Sequence, residues 1–502
     1  MAARLPAAGV AGGGASRALR FVAAQGASRA LRFVAAQGAS RTLRFVAAQG
    51  ASRASRLVAA QASGIGAGQP RRHGRGRADC TGPNARNQAK LAGFQSFRGS
   101  VSRRARPVMT ASIPKRALQT RVVQPDDRIP AGFESFVVPV ARASTVVFPD
   151  LATMRNLDWR QDGQWRYGLH ATPTSLALAQ RLAEIEGGAH ALLQPSGLCA
   201  ITNVYFGLVK EGDDVLIPDN AYGPNGDFGK WLAKDFGITA RFYDPMIGAG
   251  IADLIQPNTR IVWLEAPGSV TMEVPDVRAI TAVARARGIV TAIDNTYSAG
   301  LAFKPFEHGV DISVQALTKY QSGGSDVLMG ATITADGELH AKLKLARMRL
   351  GIGVSADDCS LVLRGLPSMQ ARFDAHSRSA LSLARWLKTR AEIATVLHPQ
   401  LPDCPGHDTF MRDFTGAGGL FSVVFDERYD AAQVDRFVEA LELFAIGWSW
   451  GGACSLAMPY DVQSMRTGKW PHRGTLVRFY VGLEDEADLR ADIERALTSA
   501  LA

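Results

Sequence analysis

The sequence predicts an α/β fold with a large, mostly parallel sheet, followed by a smaller C-terminal α+β domain. Between about residues 188 and 335, short apolar runs alternate with helical segments, the pattern of strands joined by crossover helices. One connecting segment, "VPDVRAITAVARARG", has helical spacing with an acid early and arginines late, as the helix dipole favours. From about Cys359 a long helical stretch leads to a second alternating region.

The strands of the first region are expected at "DVLIPD", "ARFYDP", "RIVWLEAPG", "IVTAID", "DISVQALTK" and "LMGATITA". Each is rich in branched or aromatic residues and bounded by turn formers. The second region opens on the helix "SMQARFDAHSRSALSLARWLKTR". It continues through "GGLFSVVFD", "AAQVDRFVEALELF", "AIGWSWGG" and "GTLVRFYVGLED" to a closing helix, "EADLRADIERALTSAL".

A different composition precedes them. From Gly14 to Gln61 four near-identical units run with a period of 12, beginning "GASRALRFVAAQ". Such fidelity reads as recent duplication rather than a solenoid, whose units are longer. Gly64 to Arg106 is rich in Gly, Arg and Gln and reads as disorder. Three readings of residues 1–108 stand: a non-structural extension from an upstream start, an organelle transit peptide, or a basic functional tail. Met109 is an alternative start. The expected division is 1–108 basic low-complexity extension, 109–170 N-terminal arm, 171–365 cofactor domain and 366–502 C-terminal domain.

The net charge of +11 dissolves on inspection. Residues 1–108 hold 19 Lys and Arg against Asp79 alone, or +18, which leaves 11 − 18 = −7 for the rest. The mild acidity of that remainder argues against a nucleic-acid partner. No apolar run approaches the roughly 18 residues of a membrane span. The five cysteines are odd in number and scattered without CxxC spacing. They point to a reducing compartment and no structural zinc. A cytoplasmic location is expected, or an organelle if residues 1–108 are a transit peptide.

In open α/β sheets ligands collect at the carboxyl ends of the strands. Asp294 ends "IVTAID" there, and Lys319 ends "DISVQALTK". A buried ammonium is costly unless it is paired or gives up its proton, which makes Lys319 a candidate nucleophile. Against that stands the plain reading of a lysine snorkelling to water. Gly197 opens an apolar helix in "QPSGLCAITNVYFGLV", a place suited to phosphate. Tyr222, after "DVLIP", is an aromatic able to stack on a flat ring. Pyridoxal phosphate uses all four features: an amine for its aldehyde, an acid for its ring nitrogen, a phosphate cup and an aromatic cover. Each residue alone is equally a core or turn residue; their order and spacing carry the reading.

With those residues placed, the sequence resembles the Cys/Met-metabolism family of pyridoxal-phosphate enzymes. The resemblance runs from about Ala117 to the C-terminus. It rests on "YGLHATPT", "EGGAHALLQPSG", "AYGPNGDF", "LEAPGSVTMEVPD", "IDNTYSAG", "QALTKYQSGGSD", "WSWGG" and "RFYVGLED". It implies the aspartate-aminotransferase-like fold (fold type I) and a homotetramer of dimers with shared active sites. By the same resemblance Lys319 is the lysine that carries pyridoxal phosphate and Asp294 the partner of its ring nitrogen. Thr318 and the backbone of Gly197 and Leu198 hold the phosphate, Tyr222 stacks on the ring and helps activate the substrate amine, and Tyr167 reaches the neighbouring subunit's phosphate. Arg478 grips the substrate carboxylate, with Ser449 close by.

The implied reaction is α,β-elimination of L-cystathionine to homocysteine, pyruvate and ammonia, a step of methionine biosynthesis, with L-cysteine and L-cystine as further substrate candidates. Trp450, where γ-acting members would be expected to have leucine, favours it over a γ-lyase, a γ-synthase or a cysteine desulfhydrase. A nicotinamide dehydrogenase lacks its GxGxxG, and a non-catalytic binding protein would not need Lys319, Asp294 and Arg478 together. The chain departs from the family at Leu169, where an arginine that helps bind the phosphate is common; lower cofactor affinity or partial substitution by His170 is expected. Ala453 and Cys454 replace an aromatic and a glutamate, and Gly324 replaces a histidine.

Overall fold

Short runs of aliphatic residues form the strands, and the turn formers between them decide where each stops. A computed structural model describes residues 116–123 and 135–501. The repeats, the Gly/Arg-rich stretch and Met109 lie outside the described residues. Seven strands make the first sheet: β1 (His190–Gln194), β2 (Asp214–Pro218), β3 (Thr239–Tyr243), β4 (Thr259–Glu265), β5 (Val290–Asp294), β6 (Ile312–Ala316) and β7 (Gly330–Thr334). Their spatial order is β1-β7-β6-β5-β4-β2-β3. All neighbours from β6 to β3 pair in parallel, and β7 opposes both β6 and β1. The mostly parallel sheet expected from the sequence is therefore present.

Helices cover both faces, as a parallel sheet requires. Along β4 successive side chains divide between two cores. Val262 and Leu264 join Leu178, Ile280 and Ile293 on one face; Ile261 and Trp263 join Val204, Ile217 and Ala292 on the other. That two-residue alternation is the strand's own geometry.

The second sheet holds β8 (Ile393–Leu397), β9 (Leu420–Phe425), β10 (Ala445–Ile446), β11 (Leu456–Tyr460) and β12 (Leu476–Tyr480), in the order β10-β11-β12-β9-β8. The helices Met369–Leu387 and Glu486–Leu501 cover it, packing Leu383, Leu387, Leu489 and Ile493 on Phe421, Val423 and Phe479. Both helices lie where their periodicity predicts. No helix among the described residues is long and apolar enough to cross a membrane.

Three strands escape the sequence pattern. β1, "HALLQ", runs directly into the turn that starts the next helix. β8 and β11 are only five residues each, and β11 carries Pro459, a residue that argues against a strand interior. "AIGWSWGG" contributes only the two residues of β10. Strand β6 ends at Ala316, so Lys319 sits in the turn beyond the strand rather than at its last position.

Candidate active site

Strands β2, β4, β5 and β6 run in parallel, so Pro218, Glu265, Asp294 and Ala316 end at the same edge of the sheet. The turn after β6 lifts Lys319 over that edge. Its ammonium donates to Ser449 Oγ across 2.6 Å and lies 5.2 Å from the centre of the Trp450 ring. Burial, and then the positive charge of Arg478, push its pKa from 10.5 to about 8, against the opposing pull of Asp294. An amine so placed sheds its proton far more readily than a surface lysine.

The loop carrying Ser449 and Trp450 comes from the second sheet and presses on the lysine. Gly451 has φ +90°, and a Cβ there would fall 2.6 Å from the Lys319 Cα. Ser449 also adopts a left-handed backbone, at φ +91°, a conformation that costs a non-glycine residue about 1–3 kcal/mol. Tyr320 supports the loop from below, edge-on to Trp450 at 5.5 Å.

Asp294 keeps partial solvent exposure and accepts the Thr296 N–H at 3.0 Å. Burial raises its pKa, while bonding from Thr296 and the charge of Lys319 pull it back. Behind it, Asn295 Nδ2 and Ser313 Oγ both donate to buried Glu186 at 2.9 Å, fixing the carboxyl end of β5 to β6. Glu265 ends β4 and is the register partner of Asp294. It accepts the backbone N–H of Tyr222 at 2.7 Å. Sequence reasoning passed over Glu265, although its place at a strand end in "WLEAPG" was the available signal. Burial, then the carboxyls of Asp294 and Glu265, raise the Tyr222 pKa.

Ser196 caps the helix Gly197–Leu208 by accepting the Cys199 N–H at 3.0 Å. The N–H groups of Gly197 and Leu198 meet no acceptor among the described residues and remain available to an anion. Gly197 is required for a second reason, since a Cβ there would fall 2.7 Å from the Ala316 Cβ. The Thr318 hydroxyl exchanges bonds with the Met329 backbone, accepting at 3.2 Å and donating at 3.4 Å, so it is engaged within the turn.

Arg478 rises from β12, buried, with its guanidinium 5.0 Å from the Tyr460 ring centre and one N–H donating to Ser269 O at 3.3 Å. Among the described residues it forms no ion pair with a carboxylate, which leaves its fork open to an incoming one. Tyr460 and Ser269 were also missed by sequence reasoning, because only folding sets them beside Arg478.

Lys319, Asp294, Tyr222, Arg478, Ser449 and Trp450 are thus joined by contacts or electrostatic coupling. Tyr167 stands apart, 46% exposed on the arm, and touches none of them among the described contacts. Leu169 packs against Gly353. Its neighbour His170 is pushed toward the neutral form by burial and then by Arg166, Arg347 and Lys344. Elsewhere, Asp162, His190 and His340 gather within 4.8 Å. The two imidazoles are stacked at 4.6 Å and 25°, so their in-plane lone pairs do not converge on one ion. Lys344 already bonds Asp162 at 2.7 Å.

A primary amine of lowered pKa, a carboxyl electrostatically coupled to it, a helix start with free N–H groups and an open buried guanidinium fit pyridoxal phosphate and an amino-acid carboxylate. These features define a pyridoxal-phosphate enzyme of fold type I. The chain belongs to the family of Cys/Met metabolism PLP-dependent enzymes, which matches residues 119–498. It is 42% identical over 377 residues to a putative cystathionine beta-lyase of Rhizobium johnstonii, covering 74% of this chain and 94% of that one. With the cystathionine beta-lyase of Haemophilus influenzae it shares 41% identity, over 70% of this chain and 92% of the relative. Among solved structures, cystathionine gamma synthase from Xanthomonas oryzae pv. oryzae in complex with cystathionine superimposes with a TM-score of 0.70 at 28% identity, covering 78% and 99%.

Proposed function

We propose that this protein is a PLP-dependent carbon–sulfur lyase that cleaves L-cystathionine to homocysteine, pyruvate and ammonia. The observation that carries the reading is Lys319 of lowered pKa held between Ser449, Trp450 and the charges of Asp294 and Arg478. The names of the relatives at 41–42% identity support the substrate. Bound pyridoxal phosphate supplies an aldehyde that links to the substrate amine and a ring that draws electrons from its α carbon. Lys319 Nζ, as the free amine, takes the α proton. Asp294 holds the ring nitrogen in its protonated state, and the Arg478 fork orients the α-carboxylate. Tyr222 covers the ring, while the N–H groups of Gly197 and Leu198 receive the phosphate. Thr318 joins them by redirecting the hydroxyl it now shares with Met329.

We further propose that Tyr167 acts across a subunit boundary, which its exposed arm position supports, in a homotetramer built from dimers. The division into arm, cofactor domain and C-terminal domain at 170 and 365, and a cytoplasmic location, belong to the same reading. Incubating the cofactor-loaded protein with L-cystathionine and identifying the keto acid by mass tests it. Pyruvate with homocysteine is expected. Release of 2-oxobutyrate with cysteine would assign the γ reaction instead, the alternative within the family.

A further inference from the structure

Glu265 is buried among the site residues and has no part in the reaction as assigned. It ends β4 beside Asp294, its in-register partner on β5, at about the 4.8 Å spacing of neighbouring strands. One carboxyl oxygen accepts the Tyr222 N–H at 2.7 Å. Tyr222 is the N-cap of the helix Gly223–Asp235 and has no side-chain cap of its own. Nothing else among the described hydrogen bonds ties its main chain to the cleft floor.

We propose that Glu265 is a positioning residue that anchors the main chain of Tyr222 and thereby sets the height of its ring over the cofactor. The inference rests on the pyridoxal-phosphate reading of this site. Two acids this close in a cleft do not both ionise cheaply. The groups facing Glu265 are Asp294 on β5, Arg478 on β12, Tyr222 and Ser269, while Lys319 faces Asp294. Burial and then Asp294 drive Glu265 far up, beyond what Arg478 returns. Burial raises Asp294 as well, and there the Thr296 hydrogen bonds and the charge of Lys319 oppose it. A neutral acid still offers its carbonyl oxygen to Tyr222.

The test compares full-length protein with Glu265→Gln and Glu265→Ala, measuring PLP affinity by absorbance titration, turnover of L-cystathionine and the melting temperature. Glutamine keeps a neutral acceptor at the same reach, so less than about tenfold loss in kcat and an unchanged KM are expected, whereas alanine frees Tyr222 and costs about 100-fold, the size of a 1 Å misplacement. PLP affinity should fall in the alanine variant and hold in the glutamine variant. Equal damage in both, with KM raised, would overturn the proposal in favour of an anion that serves Arg478. An alanine variant matching wild type would also overturn it. Should alanine fail to fold, Glu265→Asp, one methylene too short to reach Tyr222, takes its place; unchanged PLP affinity there rejects the anchor. If wild type yields no keto acid from cystathionine, the substrate reading fails while the PLP titration still decides this one.

Discussion

The ammonium of Lys319 donates to the hydroxyl of Ser449 across 2.6 Å, joining residues 130 positions apart. The first lies in the turn after β6, and the second in the loop after β10. Ser449 holds an unfavourable φ of +91° to make the contact. Strain kept at one residue, opposite a lysine of lowered pKa, marks the loop as part of the site.

Replacing Ser449 by alanine removes an acceptor that favours the charged lysine. The Lys319 titration in cofactor-free protein should then move further down, which the pH dependence of PLP capture reads directly. A titration that stays put or rises would separate Ser449 from Lys319.

Lys319 itself gives a signed pH dependence. PLP capture by the cofactor-free protein needs the free amine, so its rate should climb as pH rises through about 8. Stability follows by linkage. Between about 8 and 10.5 the unfolded chain holds a proton on Lys319 that the folded chain has lost, so this lysine makes stability rise with pH across that window. Lys319→Met should remove that increment from melting curves taken at pH 8 and pH 10.5, relative to wild type. Lys319→Ala should abolish elimination, and pyruvate from that variant would reassign the base.

Asp294→Ala should keep the fold and lose about 100- to 1000-fold in turnover, the cost of removing one preorganised electrostatic partner. Circular dichroism with steady-state assays measures both. Unaltered kcat would take Asp294 out of the electron-withdrawing step.

Arg478→Lys loses the bidentate fork while keeping the charge. KM for cystathionine should rise about 10- to 150-fold, the equivalent of 1.5–3 kcal/mol for a charge-assisted contact. PLP affinity should change far less. A variant whose PLP affinity falls as much as its substrate affinity would place Arg478 on the cofactor instead.

Gly451→Ala puts a methyl 2.6 Å from the Lys319 Cα at φ +90°. A loss of about 1–3 kcal/mol of stability is expected from the backbone alone, together with weakened PLP binding as the loop retreats. Thermal melts and absorbance titration read the two effects separately.

The locations of strands β2 to β7, the two covering helices of the second sheet, and Asp294 at the end of β5 with Tyr222 just beyond β2 were legible in the chain, because burial and turn chemistry are local patterns. β1, β8 and β11 were not. β1 runs straight into the turn before the next helix and β11 carries Pro459, and all three are held in place by pairing with distant partners. Glu265 and Tyr460 went unread for a related reason: their meaning depends on Tyr222, Asp294 and Arg478, which folding alone brings to them.

By itself the sequence determined the α/β class and the cofactor, and it singled out Lys319, Asp294 and Arg478 as candidates. Tertiary structure decided their chemical state. A lysine pKa near 8, the raised carboxyls of Glu265 and Asp294 and the lowered imidazole of His170 are all set by burial and by charges far apart in the chain. Those quantities exist only once strand ends from β2 to β12 are packed around one cleft.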